Sequence, residues 1–169
     1  MKTTRKQKGF SLIELLVVVA IMLVIAAIAV PSLLAAKRSA NESAASQTLR
    51  TATTALMNYE QTYQSTGYPA SFASLGGATC GGLTPTSSST GACMMDNQVA
   101  TAISSSTNLN NYVFTYTNGA NTPSNTFTLT AVPANSQAGS KGFYVDQGNT
   151  IHYTTDGSTP TYASPVLGQ

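Results

Sequence analysis

Gly9-Phe10-Ser11-Leu12-Ile13-Glu14-Leu15-Leu16 opens the stretch that decides the fold, because residues 15–30 are apolar without exception and Glu14 is the single charge between Gly9 and Lys37. Outward from it, only Ser11, Glu14, Pro31 and Ser32 interrupt the apolar character before Lys37. A bilayer core of roughly 30 Å needs about 20 helical residues, and this run is long enough to span. Lys2, Arg5, Lys6 and Lys8 precede it and Lys37 and Arg38 follow it. By the positive-inside bias, that distribution puts the N-terminus in the cytoplasm and everything beyond residue 37 outside the inner membrane. A carboxylate at membrane depth costs about 2.5–3.5 kcal/mol even on insertion scales, so Glu14 calls for a partner. The plainer account is that it snorkels to the headgroups from its place near the interface.

A conventional secretory signal peptide is the main alternative for this segment, with a cationic start, an apolar middle and a small-x-small site at Ala27-Ile28-Ala29. Against it stand the acid inside the apolar run, the length of that run and the amphipathic pattern that continues past the cut. Composition narrows the remaining classes. Charged residues make up 8% of the 169, which argues against a basic nucleic-acid footprint. The formal charge of +2 is carried by the leader, and from Phe10 onward acids outnumber bases.

The octapeptide resembles the processing motif of type IV prepilins and of the pseudopilins of type II secretion. The resemblance covers roughly the first third of the chain. It implies cleavage between Gly9 and Phe10 by an inner-membrane prepilin peptidase, with Gly9 supplying the side-chain-free position the peptidase demands, followed by N-methylation of the new Phe10 amine. Pro31 falls where many pilins carry a proline. Once freed, the Phe10 amine is a cation four residues ahead of Glu14. Neighbouring copies in a helical array can then pair one carboxylate with the next amine, which fixes axial register, the best-attested use of a buried ion pair. The implied partners are copies of the chain and other pilins, the peptidase, inner-membrane assembly machinery, and membrane lipid before assembly. No cofactor and no nucleic acid are expected.

Beyond Lys37, Ala45, Leu49, Ala52, Leu56, Tyr59 and Tyr63 recur at helical spacing and form one apolar stripe. Gly67 followed by Tyr68-Pro69 predicts the stop. A rod from Phe10 to Gln64 would measure about 80 Å at 1.5 Å per residue. Pro31 should bend or loosen it, and Ser39-Ala40-Asn41-Glu42 fits a capping box that would restart it. Asn41-Glu42-Ser43 also matches a glycosylation sequon by letter.

Residues 67–107 read as a long loop with one short helix near 99–103. Cys80 and Cys93 lie within it. In an exported chain they suggest a disulfide worth about 3 kcal/mol in the chain-entropy model. Two free thiols are the alternative, and a metal pair lacks further ligands. In the last third, Tyr112, Phe114 and Tyr116 share one side of a strand that ends at the turn signal Asn118-Gly119. Phe127, Leu129 and Ala131 give a second inner face, and Gln147-Gly148-Asn149 a further hairpin. The expectation is an antiparallel sheet of three to four strands with one wet face and one face on the helical stripe.

The fold class is thus α+β and pilin-like: a long N-terminal helix, membrane-spanning in its first half, packed against a C-terminal antiparallel sheet. The expected divisions are a leader at 1–9, a transmembrane or filament-core helix at 10–36, the amphipathic half of the helix at 37–66, and a β-sheet head with its long loop at 67–169. An enzyme would have to use His152, the single histidine, with Asp146 or Asp156 as orienter. His152 reads instead as a solvated residue on the outer side of an alternating strand, and no catalytic or metal-ligand motif is present. Three classes remain: a pilus subunit, a pseudopilin of a short periplasmic filament that supports protein export, and a soluble binding protein released by signal peptidase. The long uncharged Ser/Thr-rich loop and the lack of a calcium-loop acid pattern favour the first.

Overall fold

A computed structural model of the chain describes residues 9–77, 80, 87–121 and 123–168. Its contacts divide it into two compact units, Met1–Ala36 and Lys37–Gln169. Helix α1, Leu12–Thr62, supplies residues to both and is continuous in secondary structure through Pro31. No restart occurs at Ser39. The Ser43 hydroxyl donates to the Ser39 carbonyl at 2.9 Å, a bond made within a helix. Glu42, the acid of the supposed capping box, uses its carboxylate on Ser140 and Lys141 instead.

In the first unit every described residue is exposed, its large apolar side chains ranging from 42% at Val18 to 80% at Leu12. α1 is the one helix among the described residues long and apolar enough to cross a membrane. Its apolar side chains cover the whole circumference over this length, the pattern of a helix solvated by lipid or by other helices.

In the second unit α1 buries Ala45, Leu49, Ala52, Leu56 and Tyr59, the stripe read from the sequence, with Tyr63 half-buried beside it. Thr53 is buried too, and its hydroxyl donates to the Leu49 carbonyl at 2.8 Å. The helix ends at Thr62 and the chain turns back at Gly67, whose φ of 70° and close approach to the Ser124 backbone leave no room for a Cβ. The long loop carries more structure than expected: a 3-10 turn at Phe72–Leu75 and helix α2 at Asn97–Ser104. Asp96 caps α2, its Oδ1 accepting from the N–H groups of Gln98 and Val99 at 2.9 and 3.1 Å.

The sheet has five strands rather than three to four: β1 Asn108–Leu109, β2 Tyr112–Asn118, β3 Phe127–Pro133, β4 Gly142–Asp146 and β5 His152–Thr154. All neighbours are antiparallel in the order of the chain. β1 exists because Asn110 and Asn111 both take positive φ, 52° and 66°, and close a two-residue hairpin against Tyr112. Asn118-Gly119 is the start of a longer connection, pinned where the Gly119 N–H donates to the Thr126 carbonyl at 2.8 Å. Tyr112, Phe114, Phe127, Leu129, Ala131, Phe143 and Val145 line the inner face and share one core with the helical stripe, Phe72, Leu75 and Ile103.

His152 corrects the surface reading: it is 7% exposed. Residues 160–168 return along β5, where Tyr153 N–H donates to the Pro165 carbonyl at 2.8 Å and Leu167 N–H to the Ile151 carbonyl at 2.7 Å. This strap covers the side of the strand that alternation alone assigns to solvent. His152 Nδ1 lies 2.6 Å from the Ser164 carbonyl, which can only accept, so Nδ1 carries the proton. The ring also meets those of Tyr144 and Tyr162 at centroid distances of 6.0 and 5.4 Å. His152→Ala is expected to destabilise the second unit by about 1–3 kcal/mol, since it removes a buried ring and leaves the half-buried Ser164 carbonyl without its donor. Chemical unfolding of the full chain in detergent measures this, and an unchanged midpoint would return His152 to the surface class.

Candidate functional site

The candidate site is the start of α1. Ser11 is its N-terminal boundary, its carbonyl accepting from the N–H groups of Glu14 at 3.1 Å and Leu15 at 3.2 Å. Glu14 is therefore the first-turn acid, where a carboxylate is favoured by the helix dipole. Ser11-Leu12-Ile13-Glu14 has capping-box spacing, a signal overshadowed in the sequence by the apolar run behind it. Among the described residues, the Glu14 side chain has no hydrogen-bond or ion-pair partner, and the salt bridge present joins Lys141 to Glu42. The leader cations Lys2, Arg5, Lys6 and Lys8 lie outside the described residues. Among the described residues a Cβ on Gly9 would meet nothing within 4 Å, so they give no steric reason for glycine there.

In the second unit Cys80 and Cys93 are joined, with Cα atoms 5.2 Å apart. Half of the segment they bracket, residues 81–86, lies outside the described residues. Its distal part is held to α1 where the Tyr59 hydroxyl donates to the Ser89 carbonyl at 2.6 Å.

A polar clasp joins Asn41 and Glu42 of α1 to the connection between β3 and β4. Asn41 Nδ2 donates to the Ala138 carbonyl at 2.8 Å, which occupies the amide of the sequon. Glu42 Oε1 accepts from the Ser140 N–H at 2.9 Å and from the Ser140 hydroxyl at 3.0 Å. Its other oxygen lies 3.3 Å from Lys141 Nζ, and a cavity of about 130 Å³ adjoins the group. Burial acts to raise the Glu42 pKa, but the Ser140 bonds and the Lys141 ammonium outweigh it and hold the carboxyl below its usual value of 4.5. A depressed carboxylate stabilises the fold above its unfolded pKa, and that contribution is lost as pH falls through the folded value. The acid side of the stability-versus-pH curve should flatten in Glu42→Gln, measured by thermal unfolding between neutral pH and the acid range. Parallel curves for the two proteins would show that the clasp has no part in acid sensitivity.

Among the described residues no hydrogen bond links His152 to a carboxylate. Asp146 Oδ1 accepts from the Gly148 N–H at 2.8 Å, and Asp156 Oδ1 accepts from the Ser158 N–H and hydroxyl at 3.0 and 2.6 Å. Each acid thus closes its own turn instead of orienting the imidazole. Among the described residues no group of three or more His, Cys, Asp or Glu side chains could hold a metal ion.

The family description "Prokaryotic N-terminal methylation motif" matches residues 4–30, the segment that begins α1. With the apolar helix and the relative below, this match supports the type IV prepilin family. A type IV wide pilus major component, PilA4, of Thermus thermophilus is 42% identical over 60 residues. That stretch spans 36% of this chain and 43% of the relative. No solved structure matches the chain. A second description, "Fn3 associated", matches residues 145–168, the end of β4, β5 and the strap. The sequence reading missed it, although Asp156-Gly157 within the run 153–160 is a turn signal, and Asp156 does close a turn there on Ser158.

Proposed function

We propose that the chain is a structural subunit of a type IV pilus-like filament, made as a single-pass inner-membrane precursor with its N-terminus in the cytoplasm. Residues 1–9 are the leader, removed by prepilin peptidase between Gly9 and Phe10, and Phe10 is then methylated. Residues 10–36 anchor the precursor in lipid and afterwards form the filament core, while residues 37–66 carry the head, 67–169. In the filament, Glu14 pairs with the Phe10 amine of a neighbouring copy, and Pro31 marks where the core helix adjusts on leaving lipid. The head, with the Cys80–Cys93 loop, faces outward. Other pilins and the inner-membrane assembly machinery complete the partner set.

One observation carries this reading: a helix start that combines the methylation motif with an all-round apolar surface and a carboxylate unpartnered among the described residues. A buried acid is retained where it sets registry, and a helix apolar on every side is solvated by lipid or by like helices. The wide-pilus relative supports a pilus over a secretion pseudopilus.

The test is intact-mass and N-terminal analysis of the protein from sheared surface filaments and from membranes. The expected species in sheared fibres begins at methylated Phe10. Recovery of that species from membranes alone would favour the pseudopilin, and a start at Val30 would exclude both filament readings in favour of a secreted soluble protein.

A further inference from the structure

The second unit carries a groove of about 530 Å³ between α1 and α2. Met94, Met95 and Val99 form its floor and pack against the core, so that floor is held in place, while Gln47, Thr48 and Thr51 of α1 make one side largely polar. Methionine surfaces adapt to apolar partners of varied shape. No cation lines the groove, and its one carboxylate, Asp96, uses Oδ1 to cap α2 while its other oxygen makes no hydrogen bond among the described residues. A fitting occupant is apolar where it meets the methionines and positive where it meets Asp96.

We propose that this groove receives residues 33–38 of a second copy of the chain, Leu33 and Leu34 seated on the methionine floor and Lys37 and Arg38 facing Asp96. This rests on the filament reading and names the contact that the head makes in it. Leu33 and Leu34 are 69% and 46% exposed, and the two cations behind them form no salt bridge among the described residues. A lipid acyl chain would bring no cation, and an acidic peptide would be repelled by Asp96. Every copy brings the required segment to every other.

The test uses full-length chains, differently tagged and co-expressed, with Leu34→Cys in one and Met95→Cys in the other, treated in membranes and in sheared filaments with a short bismaleimide. A several-fold excess of the mixed dimer over a control pairing of Leu34→Cys with Thr62→Cys is expected. Asp96→Asn, which keeps the cap and removes the charge, should lower that yield several-fold and abolish its dependence on salt. Equal yields from test and control pairs, or a product containing another protein in place of the second copy, would overturn the proposal. Filaments without the crosslink would overturn this contact alone. The crosslink without filaments would overturn the filament reading and leave the contact standing.

Discussion

Glu14→Ala is expected to abolish filaments almost completely while the precursor still inserts, loses its leader and accumulates in the membrane. Removing the charge relieves part of the cost of about 2.5–3.5 kcal/mol that a charge meets at the bilayer centre, so residence in lipid becomes more favourable. The substitution also loses a first-turn acid, worth only about 0.3–1 kcal/mol to the helix. That is too little to unfold α1, whose apolar stretch keeps its backbone bonds in lipid regardless. The loss falls on assembly, where each neighbouring amine is left buried and unpaired, a penalty of about 3–5 kcal/mol per contact. It repeats at every subunit. Glu14→Gln separates charge from shape and should behave like the alanine variant. Sheared-fibre yield normalised to membrane precursor measures both, and wild-type yield from either would remove the registry role.

Leu56→Ala should show the largest change in stability of the second unit. Leu56 is fully buried on the helical stripe, and truncating such a residue costs about 2–5 kcal/mol through lost burial and the cavity left behind. A domain has roughly 5–15 kcal/mol in all, so a large share disappears. Thr54→Ala, on the exposed side of the same helix, should stay within about 0.5 kcal/mol. The chain has no tryptophan and eight tyrosines, so near-ultraviolet circular dichroism in a urea series on the detergent-solubilised chain is the suitable probe. Equal effects from the two variants would mean that the stripe is not the seam between helix and sheet.

The stripe was legible because burial on a helix repeats at a fixed spacing, and Ala45 through Tyr59 keep it without interruption. The inner faces of β2 and β3 were legible for the corresponding reason in strands. β1 was not, since two residues are too few to alternate, although Asn110-Asn111 held the turn signal. His152 shows a different limit. Alternation says which side of a strand a residue occupies, but the cover over that side comes from residues 160–168, and nothing local to β5 announces their return. At Ser39 a valid local pattern lost to distant donors, because Ser140 and Lys141 offer the Glu42 carboxylate more than the backbone of its own helix does. At the candidate site the motif around Glu14 could be read directly, while its place in the first helical turn required the backbone bonds to Ser11.

The two ends of the sheet bear on how copies of this protein meet. One edge is a strand of two residues, β1, and the other, β5, is already occupied by the strap that ends in Pro165, Val166 and Leu167. Short or covered edges deny a second sheet the row of free backbone groups on which strand-to-strand growth depends. Two routes to polymer are thereby kept apart in one chain. Growth through β-pairing meets a short strand at one margin and an occupied one at the other, while the exposed apolar side chains between Phe10 and Leu34 leave helix packing as the open route to association.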